Sequence, residues 1–124
     1  MPFIRASHSH FVIYVLAYPV FDPETAERLH AFRVRHEPDR AKLVAPHITL
    51  VFGVADAHLG ALSDLLDTVS AQAQPVQVIF DRYVIEFDPF EGKHKLFLLC
   101  GAGSQRITAL HTGLYDGDHR SELS

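Results

Sequence analysis

His47 and Thr49 stand two residues apart in the run Ala45-Pro46-His47-Ile48-Thr49-Leu50-Val51-Phe52. An imidazole can give or take a proton near neutral pH. A threonine hydroxyl is a short hydrogen-bond donor that suits a phosphate oxygen. Such a pair fits acid–base chemistry on a phosphate ester. The spacing brings them together only if the run is a strand, where side chains alternate between faces. Ile48, Leu50 and Phe52 would then point into a core, and His47, Thr49 and Val51 the other way. Pro46 suits the first residue of such a strand, where no ladder N–H is needed. From spacing alone a plainer alternative stays open, in which both are ordinary solvent-face residues of a half-buried strand.

The elements around this run can be read in order. Phe11 to Tyr18 is rich in β-branched and aromatic residues and predicts a central strand covered on both faces. Asp22-Pro23-Glu24 supplies a cap, a first-turn proline and a first-turn acid, so a helix should run from Pro23 to about Arg35. Its inward residues should be Ala26, Leu29 and Phe32 or Arg33. His36 to Arg40 reads as a loop, with Pro38 stopping the helix. After the His47 strand, Asp56 should cap a second helix with Leu59, Leu62, Leu66 and Val69 on one face. Val76 to Phe87 alternates as a long strand, Asp88 to Lys93 as a hairpin turn, and Leu96 to Cys100 as a buried strand. Gly101 to Ser104 is a strand-to-helix turn with Ser104 as the cap. Ile107, Leu110 and Leu114 mark a last helix, with Gly117 just past its end. Asp118 to Ser124 is polar and should be frayed.

The two halves share an order of strand, helix and loop. In the first half a strand carrying His47 follows. In the second, the counterpart of His47 would fall at roughly position 130.

Composition narrows the classes. The 124 residues are 48 % hydrophobic and 21 % charged, with a net charge of −4. That suits one globular domain that needs no disulfide or metal to fold. It argues against a broad duplex-binding face, though not against a small phosphorylated ligand or an RNA end. The single cysteine, Cys100, cannot form an internal disulfide and should be a small buried hydrophobe, so a reducing cytoplasm is expected. No apolar run is long enough to predict a membrane span.

Taken together, the Phe11–Tyr18 strand, the loop Arg35-His36-Glu37-Pro38 and above all Pro46 to Phe52 resemble the two-histidine phosphoesterases. That superfamily includes bacterial 2′-5′ RNA ligase-like proteins and cyclic phosphodiesterases. Leu110 to Tyr115, followed by Glu122-Leu123, resembles the approach to the family's second motif. The resemblance implies an α+β fold, with two pseudo-symmetric lobes of antiparallel sheet and flanking helices in one bilobal domain spanning residues 1–124. Each lobe would give one H-x-T or H-x-S motif to a shared cleft. Paired histidines would act as general acid and base on a 2′,3′-cyclic phosphate or 2′-5′ phosphodiester, without metal or other cofactor. Here His47 would be a catalytic acid or base, and Thr49 a phosphate ligand. The substrate would be a nucleotide or an RNA end, with no duplex DNA and no membrane as partner.

The sequence departs from that pattern. It has one H-x-T; His111 and Thr112 are adjacent, and His119-Arg120 is not in a strand pattern. The second lobe is therefore expected to be incomplete at its C-terminus. Its missing strand would leave an open sheet edge, consistent with a truncated form or with a homodimer through that edge. A rival reading is a non-catalytic nucleotide- or RNA-end-binding module that keeps one half-site. Among other candidates, Arg33, Arg35 and Arg40 could meet a phosphate or RNA backbone, with Arg35 the candidate phosphate ligand, although a solvated helix end and loop is the plainer reading. His8-Ser9-His10 could clip a metal, but a solvated arm is expected there. His30, His36, His58 and His94 should be surface residues. Gly101-x-Gly103-Ser104 lacks the third glycine of a dinucleotide fingerprint and the lysine of a P-loop.

Overall fold

The computed structural model describes residues 4–8 as backbone and residues 12–123 with their side chains. The architecture is α+β. A three-stranded antiparallel sheet has the order β1 (Ile4–His8), β2 (Val12–Ala17), β3 (Ile48–Ala55), and a two-stranded ribbon joins β4 (Phe80–Asp88) to β5 (Lys93–Cys100). Four helices accompany them: α1 (Pro23–His36), α2 (Pro38–Leu43), α3 (Leu59–Gln72) and α4 (Ser104–Leu114).

β2 is the middle strand, but only one of its faces is fully covered. Ile13, Val15 and Ala17 are buried, while Val12, Tyr14 and Leu16 alternate with them and stay half-buried. Phe11 lies outside the described residues. The expected solvated arm is instead β1, paired with β2 from Ile4 opposite Ala17 to His8 opposite Ile13. Of the proposed metal clip, His10 lies outside the described residues and His8 is described as backbone.

β3 does not keep the simple alternation expected of it. Two register shifts against β2 each give β3 one extra residue, between Val54 and Val51 and between Val51 and Thr49. Gly53, at φ +69°, supplies the left-handed backbone that the first bulge uses. A bulge exchanges the faces of the residues beyond it. So Leu50 and Val51 are both buried, and Phe52, expected inside, is 60 % exposed.

The core forms where this sheet meets α3 and α4. Ile13, Val15, Leu50, Val51 and Val54 pack with Leu62, Leu110, Leu114 and Tyr115. Leu66, Val69 and Ile107 lean on that cluster, as their helical spacing predicts.

Asp22 caps α1 as expected, accepting the Thr25 N–H at 3.1 Å and the Thr25 hydroxyl at 2.6 Å. These bonds hold its carboxyl below the ordinary range. The inward face is shifted. Thr25, Leu29 and Arg33 are half-buried, while Ala26 and Phe32 are exposed, because α1 packs mainly on α2 and buries no residue fully. Phe32 instead stacks beside His36, with ring centroids 4.4 Å apart. The expected loop at 36–40 is largely helix. Pro38 ends α1 and, having no N–H to lose, starts α2 at its first turn.

Further along, a 3₁₀ turn (Asp56–His58) precedes α3, so Asp56 is the first residue of that turn and His58, not Asp56, is the α3 cap. Residues 76–79 are extended, but the paired strand begins at Phe80. The hairpin turn is as expected: Asp88 accepts the Phe90 N–H at 2.8 Å, and Gly92 sits at φ +66°. β5 is not the buried strand predicted, since Leu96, Phe97 and Leu98 are all exposed. Among the described residues only β4 packs closely along this apolar run. Cys100 is half-buried, its thiol on the Ala102 carbonyl at 3.3 Å. Gly103, not Ser104, is the cap of α4, at φ +91°, and Gly117 is extended backbone. The tail is not frayed up to Leu123. It folds into a 3₁₀ turn (Asp118–Glu122) with His119 fully buried.

Candidate active site

His47 lies one residue before β3, on the chain that leaves Pro46. The ladder pairs Leu16 with Thr49 and Ala17 with Ile48. One step further, Tyr18 stands beside His47, with ring centroids 6.0 Å apart. Up to Leu50 the expected alternation holds: Leu50 is buried, Thr49 is exposed and His47 is half-buried. His47 and Thr49 therefore share the outer face of the sheet, before the first bulge intervenes.

The ring of His47 is oriented by its own chain. Nδ1 lies 2.9 Å from the carbonyl oxygen of Ala45. A carbonyl only accepts, so Nδ1 carries the hydrogen and Nε2 is left with a lone pair. This is the tautomer required of a base acting through Nε2.

Two open grooves flank this point. One, of about 430 Å³, runs between the loop after β2, α1 and the α2–β3 connection. Its lining includes His30, Arg33 and Lys42 and no acidic residue, and it ends at Ala45 and Pro46. The other, of about 460 Å³, shares Pro19 and Val20 with it and includes Ile48 and Ile107. Pro46 and Ile48, the chain neighbours of His47, each line one groove, whereas His47 and Thr49 themselves line neither. Arg33 donates to the Arg40 carbonyl at 3.5 Å. Arg35 is exposed at the end of α1 and does not line either groove.

The bulges add aromatic groups to the same outer face. Phe52 meets Tyr14 edge-on at 5.1 Å between centroids. Sequence reasoning placed Phe52 in the core and so missed it; only the Gly53 position hinted at a break in the strand.

A second histidine cluster lies at the C-terminal turn. His58 Nε2 is 2.8 Å from Glu122, whose other oxygen accepts the Ala55 N–H at 2.9 Å. His58, expected as an unpartnered surface residue, is thus paired. The ring of His119 sits 5.8 Å from both His58 and Tyr115, and its Nε2 lies 2.6 Å from the Leu114 carbonyl. His119-Arg120-Ser121 reads H-x-S, but it is a 3₁₀ turn with a buried ring, not a strand motif facing a cleft. Its surroundings make it a fastening for the tail. Among the described residues no group of three His, Cys, Asp or Glu could hold a metal ion, and no helix is long and apolar enough to cross a membrane.

The fold is thus α+β, with an imidazole and a hydroxyl on one sheet face and one nearby groove lined by His30, Arg33 and Lys42. The model of the 2′-5′ RNA ligase superfamily matches residues 21–123, and the chain belongs to that family. No curated protein and no solved structure matches it.

Proposed function

We propose that this protein is a phosphoesterase acting on 2′,3′-cyclic phosphates or 2′-5′ phosphodiesters at nucleotide or RNA ends. The observation that carries this reading is the His47 ring, whose Nδ1 is engaged by Ala45 while Nε2 has no hydrogen bond among the described residues, two residues before the exposed Thr49. In ring opening, a water must lose a proton as it attacks phosphorus, and the departing ribose oxygen must gain one. His47 performs one of these transfers. Thr49 donates to a non-bridging oxygen as charge builds there. The cationic wall of Arg33 and Lys42 draws the phosphate in. Tyr14 and Phe52 offer aromatic surface for a base. The residues form one domain working in a reducing compartment such as the cytoplasm.

The single H-x-T supports a second reading, a nucleotide- or RNA-end-binding module without turnover. Phosphorus NMR of 2′,3′-cyclic AMP with the protein and with His47→Ala separates the two. Ring opening lost in the variant supports the enzyme. Line broadening of the phosphate without turnover supports the binder. No interaction at all counts against both.

A further inference from the structure

The ribbon of β4 and β5 is exposed on both faces, and among the described residues neither outer edge is paired. Tyr83, Ile85 and Phe87 are 67 %, 57 % and 56 % exposed. Support from the rest of the chain is sparse: an Arg40–Glu91 ion pair at 3.5 Å near the tip and the Phe21 ring against Phe80 at the base. A two-stranded ribbon is only marginally stable alone, and an open apolar edge recruits another strand.

The β4 edge is complementary to itself. Turn a second copy about a twofold axis beside the outer edge of β4 at Val84, perpendicular to the ribbon, and its β4 lies antiparallel to the first. Val84 then faces its own counterpart. Tyr83 faces Ile85, and Arg82 faces Glu86, each pairing occurring twice. Opposed residues fall on the same face, as an antiparallel ladder requires. Opposite charges directly across such a pair are favourable, and like charges are not. Arg82 pairs through Nε with its neighbour Asp81 at 3.1 Å, both being solvent-exposed, so its terminal guanidinium nitrogens are left for Glu86, which has no ion pair among the described residues. The bulge at Asp81 leaves Arg82 to Asp88 in unbroken register. β5 offers no such match, because its acid-base side chains are Lys93, His94 and Lys95, and edge lysines discourage pairing.

We propose that the chain forms a twofold homodimer through β4, joining two ribbons into one four-stranded antiparallel sheet. None of the residues assigned to phosphate chemistry lies in this interface, so the dimer stands or falls separately from that reading.

The test is sedimentation velocity over a range of concentrations. The unaltered chain should sediment at twice the monomer mass. Glu86→Arg, which sets two positive charges against each other twice, should weaken association about tenfold or more. The swap Arg82→Glu with Glu86→Arg should restore it. Because the swap keeps both charges, it decides the matter even if the single reversal disturbs folding. Val84→Cys with Cys100→Ser should oxidise to a covalent dimer, since Cα atoms across the ladder are about 4.5–5.5 Å apart, within disulfide reach. A monomer at every concentration overturns the proposal. So does a dimer indifferent to Glu86→Arg, or a swap that stays monomeric.

Discussion

His47 Nδ1 lies 2.9 Å from the carbonyl oxygen of Ala45, two residues back along the same chain. The contact needs no other element, so the tautomer is set as soon as the Pro46 approach is folded. Replacing His47 by Ala removes one proton transfer. Turnover of a 2′,3′-cyclic nucleotide should fall about 10²- to 10⁴-fold, read as the rate of ring opening by phosphorus NMR, with the far-UV circular dichroism unchanged.

Thr49→Val keeps the β-branched shape and deletes the donor. A hydrogen bond to a charged oxygen contributes about 1.5–3 kcal/mol. The expected outcome is a loss of about ten- to a hundredfold in kcat/KM. Thr49→Ser should recover most of it. Equal losses in Val and Ser variants would point away from hydroxyl donation.

Glu122 ties the C-terminal turn to β3 through the Ala55 N–H and to the 3₁₀ turn through His58. Glu122→Ala leaves a part-buried donor without its acceptor, a cost of about 1–3 kcal/mol. Thermal unfolding should shift down accordingly, and amide exchange at Ala55 should quicken. His58→Gln should give a smaller loss.

Leu62 is the α3 residue fully inside the core, 1 % exposed among Ile13, Val51 and Leu114. Leu62→Ala should cost about 2–5 kcal/mol by the lost transfer energy and the cavity left behind. Leu59→Ala, one turn earlier and 38 % exposed, should cost far less. Urea unfolding of the two variants provides the comparison.

The hairpin tip should be pH-sensitive at both ends of the scale. Lys95 sits 2.8 Å from Asp88 and 3.0 Å from Glu91. Those bonds hold both carboxyls below their usual range and raise the Lys95 ammonium. A lowered carboxyl stabilises the fold above its unfolded pKa and loses that effect as pH falls through the folded value. A raised ammonium stabilises below its unfolded pKa and loses the effect as pH rises through the folded one. The tip should therefore loosen in acid below about pH 4 and in base above about pH 10. Proton NMR of the Phe90 and Glu91 amides can follow the acid limb, and Lys95→Met should flatten it.

Much of the fold was legible because the signals were local. Asp22-Pro23 marks a helix start with a donor-free residue behind an acceptor, and Asp88 to Gly92 marks a turn with an acceptor and a left-handed glycine. On α3, Leu62, Leu66 and Val69 read true for the same reason, while Leu59, expected with them, is exposed. What the sequence did not show depended on partners. Whether Leu96 to Leu98 are buried depends on a second layer, which their own apolarity cannot supply. The fate of Phe52 depended on extra residues in a ladder with β2, visible only once both strands are paired. His119 looked like part of a polar tail because its burial is made by Leu114, Tyr115 and His58. At the candidate site, the shared strand face of His47 and Thr49 was legible from alternation, whereas the grouping of Arg33, rather than Arg35, with the groove needed the α1–α2 corner.

The two bulges in β3 divide one strand into separately adjustable parts. His47 and Thr49 lie upstream of both, and Phe52 takes its side from the residues between. Loss or gain of a single residue after Thr49 would turn the aromatic group inward or outward and leave the imidazole and hydroxyl where they are. The run from His47 to Ala55 thus joins an end fixed in register to a neighbouring surface whose facing a single residue can reset.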